Sequence, residues 1–119
     1  MQRVIMKSKI HRATVTRAAL DFVGSCGIAP ELMHAADIVP GEQVHVVNIT
    51  NGSRAVTYVI EAAPGEVTLN GAMAHLGVAG DIVILITYAQ MDEREWRDFT
   101  PAIVHVDAVN RIREQAAIA

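Results

Sequence analysis

Short runs of β-branched residues, separated by turn residues, recur along most of the chain and constrain its fold more than any other feature. Runs of about four to eight residues rich in Val, Ile and Thr are typical of strands, whereas helices need longer apolar patterns. Close spacing of such runs is typical of a small barrel or sandwich. The sequence therefore predicts a mostly β fold, with candidate strands at residues 2–6, 10–16, 43–48, 54–61, 66–69, 82–89 and 102–106.

Turn signals separate these runs. Asn51-Gly52 lies within segment 48–54, and Asn-Gly is the pair that best accepts positive φ in a tight hairpin turn. Pro-Gly at 40–41 and at 64–65, and Gly-Asp at 80–81, give three further turn signals. We therefore predict a hairpin between strands 43–48 and 54–61, within a small closed sheet.

Helices are predicted to be few and short. Pro30 suits the first position of a helix and Glu31 suits its first turn, which predicts one helix over residues 30–36. The tail over residues 110–119 is predicted to form a frayed helix. The charged segment 91–97 is predicted to be an exposed linker.

The size and charge of the chain argue against several classes of function. Its 119 residues predict one domain, with little room for a separate cofactor-binding lobe. A net charge of -3 and few aromatic residues predict no nucleic-acid partner. The longest apolar run, 82–89, is far shorter than the roughly 20 residues of a membrane-spanning helix. Cys26 is the only cysteine and the start lacks a signal-peptide pattern, which predicts a cytoplasmic location without membrane spans.

Gly24-Ser25 is the candidate chemical centre, although the dipeptide alone is weak evidence. With eight glycines in the chain, about 0.2 Gly-Ser pairs are expected by chance, and a serine in a turn is the commoner explanation. The pair lies between Phe22-Val23 and Cys26-Gly27, so this segment is predicted to be tight and partly buried. Whether the Gly24-Ser25 pair marks a reaction centre therefore depends on evidence from the rest of the chain.

Five blocks of sequence, in order and at matching spacings, resemble the bacterial aspartate 1-decarboxylase family over nearly the whole chain. They are Lys9-Ile10-His11-Arg12, Gly24-Ser25-Cys26, residues 48–54 followed by Thr57-Tyr58, Asn70-Gly71-Ala72, and residues 80–84. The resemblance implies a closed six- to seven-stranded double-psi β-barrel with short helices, assembled as a homotetramer. It also implies that the single domain 1–119 cleaves itself into 1–24 and 25–119, and that Ser25 becomes a pyruvoyl group.

The implied reaction removes the α-carboxylate of L-aspartate and gives β-alanine and CO2, a supply route for pantothenate and coenzyme A. Decarboxylation leaves negative charge on Cα that no ordinary side chain delocalises, so the reaction needs an electron sink. In the family the pyruvoyl ketone provides it through a Schiff base with the substrate amine. The resemblance implies neither a metal nor pyridoxal phosphate, and a maturation factor is a further conceivable partner.

The resemblance assigns roles at the processing site. The Ser25 hydroxyl attacks the Gly24 carbonyl, and glycine suits that position because it has no Cβ to block the attack. Thr57 stabilises the oxyanion, and Tyr58 donates the proton that quenches the carbanion. Thr57 and Tyr58 are adjacent and would face opposite sides of a regular strand, so a twist, a bulge or a subunit boundary must reconcile their roles.

A second set of residues is assigned to the substrate. The planar guanidinium of Arg54 would clamp a carboxylate, and Lys9 would add a second positive charge for a dianionic substrate. Taken singly, a charged strand-edge residue or a strand histidine is more often structural. The other implied substrate-binding residues are His11, Thr57, Asn70, Gly71, Ala72 and Met73.

Two positions depart from the family pattern and leave alternatives open. Many relatives have tyrosine at position 22 and a small residue at position 73, where this chain has Phe22 and Met73. These departures favour an uncleaved β-barrel that serves as a binding or assembly module. A serine hydrolase using Ser25 with His11 and Asp21 is a further alternative, but valine replaces the first glycine of the Gly-x-Ser-x-Gly elbow.

Overall fold

The computed structural model describes residues 1–116 and confirms that the chain is mostly β. Two short α-helices, α1 at Pro30–Ala35 and α2 at Glu93–Asp98, and a 3-10 helix at Gly71–His75 lie between strands. The strands in the described residues are β1 Arg3–Thr14, β2 Arg17–Ala19, β3 Cys26–Ile28, β4 Gln43–Asn48, β5 Arg54–Glu61, β6 Val67–Asn70, β7 Ile82–Met91, β8 Ala102–Val106 and β9 Ile112–Ala116.

The strands form one sheet in the order β2-β6-β3-β5-β4-β7-β1-β8-β9. Its centre, from β5 through β4 and β7 to β1, is antiparallel. Parallel pairs occur where β1 meets β8, β3 meets β5 and β2 meets β6. Within residues 1–116 no hydrogen-bonded pairing joins β2 to β9, so backbone bonding leaves the sheet open. The closed barrel therefore stays a prediction.

The predicted strand number of six to seven is wrong, because the described residues form nine strands. The predicted strands 43–48, 54–61 and 102–106 are confirmed as β4, β5 and β8. The predicted strands 2–6 and 10–16 merge into β1, which stays paired with β7 through two register shifts. Arg12 lies at one of these shifts with φ of 66°, which explains how the chain continues through an irregularity.

One helix prediction is confirmed, one is wrong, and the segment predicted to be a linker contains a helix. Helix α1 begins at Pro30 as predicted and buries Leu32 and Met33. The described part of the tail forms β9 instead of a helix, because residues 112–116 pair with β8, whereas residues 117–119 lie outside the described part. The predicted linker 91–97 contains α2, which begins with a capping box in which Asp92 accepts a hydrogen bond from the Glu95 N–H at 2.8 Å.

The predicted hairpin between β4 and β5 is confirmed. Gly52 takes the positive φ of 79°, and the Asn48 amide oxygen accepts hydrogen bonds from two backbone N–H groups of the loop. The Asn48 amide nitrogen donates to Asp81 at 3.0 Å. This bond, together with the Val78 N–H, lowers the pKa of the Asp81 carboxyl. The hairpin loop is thereby joined to the segment that precedes β7.

Alternation along the central strands separates a core face from an open face. The core face carries the buried side chains Val44, Val46, Val59, Val83 and Leu85, which pack with α1. The opposite face is left open: Val56 is 53% exposed and Tyr58 is 43% exposed. This open face carries several of the residues that the sequence assigns to substrate.

Candidate active site

The Gly24-Ser25 bond lies in the segment 20–25, which connects β2 to β3. Both strands pair with β6, β2 in parallel and β3 antiparallel, so the segment crosses from one side of β6 to the other. The Ser25 carbonyl accepts a hydrogen bond from the Asn70 N–H at 2.9 Å. The sheet therefore fixes Ser25 beside the end of β6, where Asn70, Gly71 and Ala72 follow one another.

Gly24 is the position where this segment requires glycine. Its φ is 61°, a conformation that residues with a Cβ rarely adopt. A Cβ added at Gly24 would lie 2.1 Å from the Tyr58 hydroxyl oxygen and 2.7 Å from Cζ of the same ring. The phenol of Tyr58 therefore lies directly against the residue on the amino side of the predicted cleavage bond.

Gly71 makes a second close backbone approach to the same segment. Its φ is 60°, and a Cβ added there would lie 3.2 Å from the Phe22 carbonyl oxygen and 3.6 Å from that of Gly24. A larger residue at 71 would push against the segment. The structure thus brings together four of the predicted residues around one peptide bond: Gly24, Ser25, Tyr58 and Gly71.

Ser25 is 4% exposed, and its hydroxyl has no hydrogen-bond partner among the described residues. The Asn70 amide oxygen is likewise buried and unpaired. Most buried polar atoms in folded proteins are satisfied, because an unpaired one costs about 1–3 kcal/mol. Two such atoms at the ends of neighbouring strands indicate groups held ready for a partner that forms during a reaction.

The neighbouring thiol does not compete with Ser25 as a nucleophile. Cys26 is fully buried, and burial raises the pKa of its thiol to about 12. The reactive form of cysteine is the thiolate, so Cys26 stays protonated and inert at neutral pH. Its side chain belongs to the hydrophobic core.

Thr68 is a site residue that the sequence did not reveal. Its hydroxyl oxygen accepts a hydrogen bond from the Asn70 amide nitrogen at 3.1 Å, and it is 2% exposed. A Cβ added at Gly27 would lie 2.1 Å from that oxygen, so glycine at 27 makes room for it. A threonine within a short strand carries no signal that distinguishes this role from ordinary strand packing.

Thr57 and Tyr58 lie on opposite faces of β5, as the sequence predicts for a regular strand. The register between β4 and β5 has no shift across them, so no bulge turns either side chain. Tyr58 shares the open face with Arg54, whereas Thr57 lies on the same side as the buried Val59.

Arg54 is exposed at the start of β5, four residues before Tyr58, or about 13 Å along an extended strand. Its guanidinium lies 3.3 Å from Nδ1 of His45, and the His45 ring packs edge-on against Tyr88 with 4.7 Å between centroids. A cleft lined in part by His45 and Tyr88 opens on this face. The guanidinium can therefore reach a ligand bound on the open face.

Lys9 and His11 lie on β1, which β4 and β7 separate from β5 in the order of hydrogen-bonded strands. The His11 and His105 rings are 5.2 Å apart, and burial, followed by the charges of Lys9, His105 and Arg12, lowers the pKa of His11. Among the described residues no hydrogen bond joins His11 to Ser25, so a Ser-His-Asp hydrolase finds no support in this arrangement.

The two departures from the family pattern have different environments. Met73 is 7% exposed and its side chain belongs to the hydrophobic core, so it neither narrows a pocket nor turns outward. Phe22 is 50% exposed, and the Arg17 guanidinium carbon lies 5.7 Å from the centre of its ring. Ala72 is exposed beside Met73 at the start of the 3-10 helix.

The side chains described for residues 1–113 include no group of three or more His, Cys, Asp and Glu arranged to hold a metal ion. None of the helices in that range has the length and hydrophobicity required to cross a membrane.

Known proteins resemble this chain over nearly its whole length. Residues 1–113 match the sequence model of the family described as aspartate decarboxylase. The chain is also 56% identical over 114 residues to a protein from Mycolicibacterium smegmatis named aspartate 1-decarboxylase, and the match covers 94% of this chain and 84% of that protein. Both matches extend across the cleavage segment and the strands that surround it.

Proposed function

The chain belongs to the aspartate decarboxylase family, and from that premise we propose that it decarboxylates L-aspartate at the α-carboxylate. The reaction takes up one proton and yields β-alanine and CO2. The observation that carries the proposal is the buried, unpaired Ser25 hydroxyl next to a left-handed Gly24. The family match alone does not identify which serine would be processed, and this geometry supports Ser25 as that residue.

We propose that the first event is self-cleavage. The Ser25 hydroxyl oxygen adds to the Gly24 carbonyl carbon, the C–N bond between the two residues breaks, and the nitrogen takes a proton, which leaves an ester. Loss of the Ser25 Cα proton and of the Gly24 carboxylate then gives dehydroalanine. Its imine tautomer takes up water and releases ammonia, which leaves a pyruvoyl group on chain 25–119 and a free carboxylate at the end of chain 1–24.

The environment of the bond supports this sequence of steps. Attack needs a hydroxyl that is not engaged elsewhere, and the Ser25 oxygen has no hydrogen-bond partner in the described residues. Attack also needs an unobstructed carbonyl, and Gly24 has no Cβ. The tetrahedral oxyanion needs a donor, and we assign that role to Thr57, the neighbour of Tyr58 on β5. The unpaired Asn70 amide oxygen can accept the proton of the Ser25 hydroxyl and orient it.

The pyruvoyl group, once formed, supplies an electron sink for the negative charge that decarboxylation leaves on Cα. The residues around Ser25 fit such a group, because the Asn70 N–H that donates to the Ser25 carbonyl can keep that bond to the same carbonyl of the pyruvoyl group. No metal and no pyridoxal phosphate enter this proposal. The remaining chemistry belongs to side chains that bind aspartate and move one proton.

We propose the following roles for those side chains. Tyr58 protonates Cα after CO2 has left, since its hydroxyl already lies against the cleavage segment. Arg54 binds one carboxylate through its planar fork, and Lys9 and His11 hold the second. Asn70, Gly71 and Ala72 contact substrate mainly through backbone N–H groups, and Met73 contributes backbone only because its side chain is buried.

The separation between Lys9 and Ser25 supports a site completed by a second copy of the chain. We infer that Lys9 and His11 serve the Ser25 of a neighbouring subunit, since β4 and β7 lie between β1 and β5 in the sheet and Ser25 has no hydrogen bond to either side chain among the described residues. The open apolar face of β4, β5 and β7 is a suitable contact surface. We therefore propose one double-psi β-barrel domain per chain, a homotetramer and a cytoplasmic location, with a maturation factor as a further conceivable partner.

A radiometric assay tests the proposed activity. Purified protein should release labelled CO2 from L-[1-14C]aspartate, and Ser25→Ala should abolish the release. Arg54→Ala should raise KM for aspartate strongly, because it removes a carboxylate ligand. Arg54→Ala protein with unchanged KM would contradict the role of Arg54, and wild-type protein that releases no CO2 after complete cleavage would contradict the proposed activity.

A further inference from the structure

The cleavage segment 20–25 is attached to the sheet at both ends. The Phe22 N–H donates to the Ala19 carbonyl at 3.2 Å near its start, and Ser25 is bonded to Asn70 at its end. Between these points Gly24 reverses the backbone through its positive φ. A glycine turn is conformationally permissive, so a contact that restrains residues 21–23 changes how often the segment adopts one geometry.

Arg17 provides such a contact. It is the first residue of β2 and pairs in register with Thr68, so the sheet fixes its backbone. Its guanidinium carbon lies 5.7 Å from the centre of the Phe22 ring, within the range of a cation–π interaction. Within residues 1–116 the Arg17 side chain forms no salt bridge. Among the described residues, the Phe22 ring is therefore the group that contacts the Arg17 guanidinium.

The contact acts next to the reacting bond. The Phe22 carbonyl oxygen would be 3.2 Å from a Cβ at Gly71, so the backbone of residue 22 is seated against the Asn70-Gly71 turn. Movement of Phe22 away from Arg17 would lift this carbonyl and change the path of the chain into Gly24. Ser25 stays bonded to Asn70, and therefore the distance between its hydroxyl and the Gly24 carbonyl depends on the position of residue 22.

We propose that Arg17 is a positioning residue for self-cleavage and that it acts through the ring of Phe22. This inference rests on the proposed function, because it concerns the rate of the same cleavage. It gives the aromatic ring at position 22 a role that needs no hydroxyl. The ring face binds the cation, and the bound ring keeps the Gly24 carbonyl within reach of Ser25.

The test measures the rate of cleavage after cell-free synthesis, by following the loss of the full-length chain on gels. Arg17→Gln should slow cleavage by a factor of about 2 to 5, the range expected from loss of one exposed cation–π contact. Arg17→Lys keeps the cation and should retain most of the rate. Phe22→Leu should slow cleavage to a similar extent, and the double variant Arg17→Gln/Phe22→Leu should be no slower than either single variant.

Arg97 provides a control. Its guanidinium carbon lies 5.4 Å from the centre of the Trp96 ring on α2, away from the cleavage segment, and it also forms an exposed salt bridge with Glu93 at 2.8 Å. In an uncleavable Ser25→Ala background, Arg17→Gln and Arg97→Gln should shift the unfolding midpoint by similarly small amounts. Only Arg17→Gln should slow cleavage of the otherwise wild-type chain, because only Arg17 contacts the segment.

The outcomes separate this inference from the proposed function. Wild-type protein that never cleaves refutes the proposed self-cleavage, and the role of Arg17 with it. Wild-type protein that cleaves while Arg17→Gln cleaves equally fast refutes only the role of Arg17. Equal slowing by Arg97→Gln would also overturn it, because the effect would then follow general stability.

Discussion

Alanine at position 24 should destabilise the uncleaved protein through two separable effects. The first is conformational, because a residue with a Cβ at φ of 61° costs about 1–2 kcal/mol. The second is steric, since the new Cβ would lie 2.1 Å from the Tyr58 hydroxyl oxygen. Tyr58 is 43% exposed and can rotate away, which limits the steric part to about 1 kcal/mol.

A double-mutant cycle separates these effects. In a Ser25→Ala background, which prevents cleavage, Gly24→Ala should lower the free energy of unfolding by about 2–3 kcal/mol. After Tyr58→Ala the same substitution should cost only the conformational part, which leaves a coupling energy of about 1 kcal/mol. Urea titrations at one fixed protein concentration measure all four proteins.

Gly52→Ala is the control for the conformational part. Gly52 also has positive φ, 79°, but a Cβ added there would meet nothing within 4 Å. Its cost should therefore be the same with and without Tyr58. A coupling energy near zero between Gly24→Ala and Tyr58→Ala would refute the placement of the phenol against the cleavage segment.

Three further predictions concern individual side-chain hydrogen bonds. Thr68→Val keeps the shape of the side chain but removes the hydroxyl that accepts a hydrogen bond from the Asn70 amide, so gel time courses should show cleavage slowed about 5-fold, the effect of one hydrogen bond. An unchanged cleavage rate would contradict this role of Thr68. Asn110→Ala removes buried amide hydrogen bonds of 2.7 and 2.9 Å to the Thr14 backbone and should cost about 2–4 kcal/mol in urea titration, whereas a cost below about 1 kcal/mol would count against them. Hydrogen bonds lower the pKa of Asp81 in the folded state, so its ionised carboxylate should stabilise the fold above the unfolded pKa of 3.8, and this stabilisation should disappear as pH falls through the lower folded pKa. The free energy of unfolding of Asp81→Asn should therefore fall less over that acid range than that of the wild type. An identical fall in both proteins would exclude this contribution.

The sequence predicts the elements whose patterns are local. Strands β4, β5 and β8 carry β-branched runs between turn signals, and the proline at position 30 indicates α1. The capping box of α2 was also present in the sequence, as Asp92 and Glu95, and could have revealed that helix. In contrast, β2 and β3 are three residues each and depend on parallel pairing with distant strands, which no local pattern indicates. The described part of the tail forms β9 because it pairs with the free edge of β8.

The candidate site likewise contains residues that the sequence predicts and residues that only the structure reveals. Gly24, Ser25 and Tyr58 were predicted together and lie together. Thr68 was missed because its function depends on a hydrogen bond to Asn70 that exists only after two strands have paired. The sequence also does not reveal that two strands lie between β5 and the strand that carries Lys9. This arrangement follows from the order of strands in the sheet, which spacing along the chain does not predict.

Intact-mass measurement of the purified protein tests the central claim most directly. The account predicts two chains, residues 1–24 and 25–119, with the larger chain lighter by one ammonia than a chain that begins with serine. Sodium borohydride should add two hydrogens to that larger chain only, because only it carries a ketone. A single chain of unmodified mass after long incubation would contradict the account.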